Sequence, residues 1–387
     1  MEYNKKLVFW SACIGMLLFG IVMISLGTIN TFLMVKFNLD ELTVGSLAAL
    51  LPFGILAGSL VFGPIVDRYG YKYLIITCSL LVLIGIEAIA IAPAFVLIQV
   101  SFFIIGFGGG AINGATNALV SDISGEYKGA RLSLLGVFYG IGALGMPAVL
   151  GFLSKYFAYE SVITGIAIFI LLPVIYFFVI KFPEPKQRQG FTLGRSIKLL
   201  KQPTLLLIGL VLFFESGMEG IANNWTTTYL QKDLDIDAKN ALYALSYLIM
   251  GLTFGRLLLG WLLRKVKSYI VLVVCLILAT VGTFFLIFAS GYVPVVAGML
   301  ILGLGFAATF PVVLGYVGDI YSDLSGTAFS IVFVIALIGN TLINYIVGIV
   351  AQSYGIRCYL IILLFSIAFV FILLALVLRR ILNQIKS

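Results

Sequence analysis

Four ionisable residues stand inside long apolar runs of this chain: Glu87, Glu215, Glu219 and Arg256. At the centre of a bilayer each costs about 2.5–3.5 kcal/mol, so each needs a partner or a task. Glu215 and Glu219 are four residues apart and share one face of a helix. Two carboxylates that close in a low dielectric cannot both ionise comfortably, so the pair holds an exchangeable proton. Gly217 and Gly220 loosen the same stretch, as a moving element requires. Coupling to protons or sodium ions through Glu215 and Glu219 fits this pattern; direct hydrogen bonding to a bound solute and a static pair neutralised by Arg256 fit it too. The sharper expectation is a salt bridge from Arg256 to Glu215 or Glu219 that breaks and re-forms between two conformations. Glu87, towards the outer end of its run, reads as an interfacial or protonated glutamate.

Amides form the second group. Asn113 and Asn117 are an i,i+4 pair, as are Asn340 and Asn344; Asn223, Asn224 and Trp225 are adjacent, with Tyr229 one turn on, and Asn30 ends the first apolar run. An amide both donates and accepts, and an aromatic face stacks on the C–H surface of a sugar ring. The set suits a neutral polyol better than an ion or a lipid. Hydrogen bonds between helices, worth about 0.6 kcal/mol per pair, are the competing explanation for each asparagine. No histidine is present, which excludes Ser-His-Asp and Cys-His catalysis and any histidine metal site. Cys13, Cys78, Cys275 and Cys358 are isolated, so neither a disulfide framework nor a thiolate metal site is expected. Gly140-x-Gly142-x-x-Gly145 matches a dinucleotide fingerprint in letters only, because no strand precedes it. The glycines from Gly106 to Gly110 lack the Lys-Ser/Thr of a phosphate loop, so ATP-driven work is unsupported. No cofactor is expected beyond H+ or Na+ as coupling ion.

The elements that carry these residues are apolar helices. The chain has 387 residues, 62% hydrophobic and only 10% charged. Its apolar runs are continuous and reach the length of a helix spanning a hydrocarbon layer of about 30 Å. In lipid every backbone polar group needs an internal partner, and the lack of alternation argues for helices over a barrel. We expect twelve transmembrane helices near 7–29, 42–66, 72–92, 94–120, 130–155, 159–182, 203–231, 238–263, 268–289, 292–318, 324–353 and 357–382. The first, after Lys5 and Lys6, is too long for a signal-peptide core. With both termini in the cytoplasm, eighteen Lys and Arg residues fall on that side and five outside, with Arg256 within a span. That asymmetry places the termini in the cytoplasm of a multi-pass protein of the cytoplasmic (inner) membrane. The net charge of +8 thus lies in short connections and does not point to nucleic acid. The polar stretch 183–202 divides the chain into bundles at 1–182 and 203–387, and 191–201 could lie on the membrane surface as an amphipathic helix.

Sliding the chain against itself by 197 residues aligns ten glycine pairs, from Gly20/Gly217 through Gly54/Gly251 and Gly106/Gly303 to Gly151/Gly348, together with Asp122/Asp319 and Ser133/Ser330. A repeat containing six spans keeps its orientation. It predicts two parallel six-helix halves about an axis along the membrane normal, with a cavity between them. Asp122 and Asp319 are expected to cap helix ends.

Gly63-Pro64-Ile65-Val66-Asp67-Arg68-Tyr69-Gly70-Tyr71-Lys72 resembles the signature loop of the major facilitator superfamily. Gly63 permits close helix approach, Asp67 can cap or pair at a helix end, Gly70 permits a tight turn, and Arg68 and Lys72 hold the loop at the interface. Tyr71 replaces a usual basic residue, and the second-half counterpart Gly260-Trp261-Leu262-Leu263-Arg264-Lys265 has lost the Asp. Gly217-Met218-Glu219, Trp225, Tyr229-Leu230, Gly255-Arg256 and the run Gly303 to Pro311 are similar to the fucose permease-like sugar transporters. The resemblance implies an all-α fold of two six-helix bundles. It also implies a non-enzymatic, monomeric secondary transporter moving a small polar solute, most simply a monosaccharide, by alternating access with a co-transported cation. Helix 1 and the middle of helix 4 carry no carboxylate, so that family's coupling acids do not carry over there. The glycines of helix 5, ending at Pro147, resemble a motif associated with export, which leaves a drug or metabolite exporter as the rival. A membrane receptor would need neither twin halves nor paired buried glutamates.

Overall fold

A computed structural model of the chain describes residues 3–38, 41–186 and 198–386, without the side chains of 27–28, 30–31, 34–35, 41–48, 238 and 381–386. Among the described residues, twelve helical spans are long and apolar enough to cross a membrane, and there are no strands. They are α1 (Lys5–Phe37), α2 (Glu41–Tyr69), α3 (Tyr71–Ile91), α4 (Phe95–Ile123), α5 (Lys128–Leu153), α6 (Tyr159–Val179), α7 (Pro203–Lys232), α8 (Ala238–Leu262) and α9 (Ser268–Ile287). α10 has two pieces, Tyr292–Phe306 and Thr309–Ile320, followed by α11 (Ser325–Tyr354) and α12 (Cys358–Lys386).

The boundaries follow local chemistry. Gly70 separates α2 from α3 at φ 84°, a left-handed conformation that glycine adopts without strain. Pro203 occupies the first turn of α7, where its missing N–H would have had no partner. Asp237 caps α8 by accepting from the Asn240 amide at 3.1 Å. That bond, before any other influence, holds the Asp237 carboxyl below the usual range. The expected tenth helix was continuous; the observed one is interrupted between Phe306 and Thr309. Pro311 is the cause, since its ring cannot accept a helical carbonyl four residues back, at Ala307. At the equivalent place in the first half stands Gly114, and α4 runs through unbroken. The surface helix expected at 191–201 lies mostly outside the described residues.

The chain forms two compact units, each taking a short segment from the other half of the sequence. The first comprises Met1–Ile123, Leu135–Ser196 and Tyr321–Ser330. The second comprises Ser124–Leu134, Ile197–Ile320 and Ile331–Ser387. In the first, α4 is the hub against α1, α2 and α3, and α3 also packs on α6. In the second, α10 packs against α8 and α9, and α7 against α12, where Phe214 and Phe369 stack at 4.8 Å. The repeat in sequence has a physical cause here. A Cβ on Gly54 of α2 would strike the Phe103 carbonyl of α4, and one on Gly251 of α8 would strike the Leu300 carbonyl of α10. These are the same contact displaced by 197 positions, so close helix approach admits only glycine at both.

Candidate functional site

A polar cluster within the spans lies between α7 and α11 of the second unit. Asn340 donates through Nδ2 to the Ser216 carbonyl at 2.8 Å, and Asn344 donates to the Asn340 carbonyl at 2.8 Å and to its Oδ1 at 3.2 Å. The Asn344 Oδ1 in turn accepts from Trp225 Nε1 at 3.1 Å and from Asn224 Nδ2 at 3.0 Å. Helical spacing places Asn340 over Asn344, and Gly220 makes room for both: a Cβ there would lie 2.6 Å from Asn340 Nδ2 and 2.7 Å from Asn344 Nδ2. Trp225 is half-buried and Asn224 exposed, so the array is fixed on one side and open on the other. Ser216 and Gly220 belong to this site, and reasoning from the sequence missed them as site residues. A small residue one helical turn from an amide was the signal that could have found Gly220.

Directly below on α7, Glu215 is fully buried, and neither carboxyl oxygen has a hydrogen-bond partner. A polar group buried in that way costs about 1–3 kcal/mol or more. The charges acting on it are Glu219 and Arg256, so the structure does bring the three predicted coupling residues together. The expected salt bridge is not formed in this structure. Among the described residues the ion pairs are Lys36–Glu160, Lys128–Asp319, Lys186–Asp122 and Arg357–Asp233, and the buried Nε of Arg256 has no partner. Glu219 is half-buried, with Asn223 Nδ2 bound to its backbone carbonyl at 2.9 Å. Asn223 therefore serves its own helix and stands apart from the amide array.

Tyr229 corrects an expectation. It is 0% exposed, its hydroxyl donates to the Leu286 carbonyl at 2.9 Å, and its ring meets Tyr359 edge-on at 5.4 Å. In this structure it holds α7 to its neighbours. The resemblance to sugar transporters grouped it with Trp225; burial separates them.

In the first unit, Asn117 is buried and gives its amide back to Asn113, at 2.8 Å to the carbonyl and 3.0 Å to Oδ1, while Asn113 is half-buried. Asn30 lies on α1, but its side chain lies outside the described residues. The signature loop is built as a latch. Asp67, 1% exposed, accepts from the Gly326 N–H at 3.0 Å, the Thr327 N–H at 2.8 Å and Thr327 Oγ1 at 2.6 Å, capping the first turn of α11. Gly63 lies against the Gly326 carbonyl and Ser330, with no room for a Cβ. Lys72 Nζ donates to the Phe178 and Ile180 carbonyls at 2.7 and 3.2 Å, satisfying the end of α6. Arg68 stacks over Tyr69, 5.0 Å from the ring centroid. Asp122 and Asp319 do not cap helices. Asp122 takes Lys186 at 2.6 Å and the Tyr71 hydroxyl at 2.5 Å, and Asp319 takes Lys128 at 2.6 Å. Glu87 accepts from Thr164 Oγ1 at 3.2 Å, tying α3 to α6.

Twelve spans, an internal repeat and this latch define a class, and comparison with known proteins names it. The model of the Major Facilitator Superfamily matches residues 12–332 and 253–383, so the chain belongs to that family of transporters and is not an enzyme. It is 23% identical over 350 residues to the glucose/mannose transporter GlcP of Bacillus subtilis, covering 85% of this chain and 84% of that protein. It is 29% identical over 277 residues to the 3-(3-hydroxy-phenyl)propionate transporter of Escherichia coli, covering 69% of this chain and 66% of that one. The Escherichia coli fucose:proton symporter FucP shares its fold, with a TM-score of 0.78 at 20% identity over 95% of this chain and 98% of that chain.

Proposed function

We propose that the protein is a secondary active transporter of the cytoplasmic membrane, with both termini in the cytoplasm, that takes up a monosaccharide by alternating access coupled to a proton or sodium gradient. The observation that carries this reading is the α7–α11 array. Asn340 and Asn344 are held over Gly220, with Trp225 and the exposed Asn224 bound to one amide oxygen. Neutral donors and acceptors beside an indole match the alternating hydroxyls and C–H faces of a sugar. The sugar named for GlcP and the symport named for FucP point the same way.

Coupling falls to Glu215, Glu219 and Arg256. The carboxyl group of Glu215 lacks any donor, and an unpaired guanidinium nitrogen stands on the adjacent helix. Taking up a cation and solute on α7 would change what Arg256 faces, which links the two bindings. Asn113 and Asn117 are a secondary contact set in the first unit.

Counterflow in proteoliposomes against a panel of monosaccharides tests the reading. Exchange of one or a few sugars is expected. Exchange of an aromatic carboxylate with none of the sugars would replace this reading by the organic-acid chemistry named for the Escherichia coli relative.

A further inference from the structure

Tyr69 and Tyr73 each line two cavities of the first unit. One, of about 520 Å³, is bounded by residues 68–73 of the α2–α3 turn and residues 182–185 that follow α6. The other, of about 460 Å³, is an apolar groove between α2, α3 and α4. Its floor is formed by Gly58, Phe62, Cys78 and Ala111, all buried, and its rims by Val61 and Thr77, both exposed. Small residues set the depth of the floor, because Gly58 lets α2 approach the backbone of α4. A recess carrying Arg68 and Lys72 that shares Tyr69 and Tyr73 with an apolar groove offers both kinds of surface that an amphiphile needs.

The charges select which amphiphile. Arg68 is exposed at the mouth and has no carboxylate partner among the described residues. Lys72 gives its protons to two carbonyls, and among the described residues it too has no carboxylate within ion-pair distance. Asp67, the acid next in sequence, is turned inward to Gly326 and Thr327 and cannot compete. Among the described residues Glu184 is the one acid in the lining, and it is exposed to solvent. Two cations against one solvated carboxylate favour a negative headgroup, and guanidinium geometry suits a phosphate. Tyr69 and Tyr73, 58% and 69% exposed, are the side chains that settle at a headgroup boundary.

We infer that this groove and the recess that shares its tyrosines hold one anionic phospholipid, with its phosphate on Arg68 and an acyl chain laid over Gly58 and Ala111. The site is separate from the α7–α11 array and does not depend on which solute is carried.

Native mass spectrometry of the full-length protein, released from detergent with phosphatidylglycerol or phosphatidylcholine of matched chains, tests it. One retained phosphatidylglycerol is expected, favoured over phosphatidylcholine on the order of tenfold by the two cations. Arg68→Gln should bring that preference down to parity. Thr77→Trp and Val61→Trp fill the groove from opposite walls at exposed positions, so either one that folds should lose the adduct. Equal retention of the two lipids by the unaltered protein, or a phosphatidylglycerol adduct surviving in a folded tryptophan variant, would overturn the inference.

Discussion

The two halves of the molecule share a skeleton and differ in chemistry. Displaced by 197 positions, Leu18, Val22 and Ser59 stand where Glu215, Glu219 and Arg256 stand in the second half. The backbone at the last pair has kept the same bond: Ser330 Oγ donates to the Ser59 carbonyl at 2.5 Å, and Ser133 Oγ donates to the Arg256 carbonyl at 2.8 Å. The side chains have diverged, since Leu18 and Val22 are wholly buried hydrocarbon while Glu215 is a buried acid without a partner. The reverse holds at the α2–α3 turn, where Asp67 caps α11 and its counterpart is the exposed Arg264. Duplication supplied the helix contacts, which tolerate little change, and left the polar positions free to specialise. The second half acquired the charges and the amide array; the first kept the latch.

That contrast can be broken most sharply at the charges. Glu219→Gln, and separately Glu215→Gln, should abolish gradient-driven accumulation while leaving counterflow in place; accumulation unchanged in both would clear α7 of coupling. Next comes the latch. Asp67→Ala leaves two buried N–H groups and a hydroxyl without their acceptor and should lower stability by about 3 kcal/mol. Arg264→Ala at the counterpart position should stay within about 0.5 kcal/mol. Thermal unfolding in detergent compares them, and equal losses would erase the asymmetry. For the amides, Asn344→Ala removes the acceptor of both Trp225 and Asn224 and should raise the KM for the sugar about tenfold, the value of one net hydrogen bond. Asn117→Ala, which loses only a bond to its own helix, should raise it less than about twofold. The smallest effect belongs to Tyr229→Phe, with about 1 kcal/mol of stability lost and KM unchanged; a shifted KM would return Tyr229 to the binding site.

Much of the scaffold was legible because its causes are local. Apolar length set the twelve spans, and glycines at helix contacts exposed the repeat, since a Cβ at Gly54 or Gly251 meets backbone. Pro311 announced its break by its ring, although the expected helix was drawn through it. The amide pairs were legible as i,i+4 partners, but their neighbours were not. Asn340 meets Ser216 across 124 positions of chain and Asp67 meets Thr327 across 260, and periodicity carries no information over such spans. Tyr229 misled because a motif fixes spacing while burial depends on the facing helix. The proximity of Glu215, Glu219 and Arg256 was foreseen, but the absence of a bond between them depends on tertiary geometry that no charge pattern encodes.

Sugar uptake into proteoliposomes under an imposed proton or sodium gradient tests the central claim most directly. The account predicts that one of the two gradients drives a monosaccharide above its equilibrium level, and that Glu219→Gln reduces this to equilibration. Equilibration alone in the unaltered protein under either gradient, with counterflow intact, would contradict coupling through the charges of the second half.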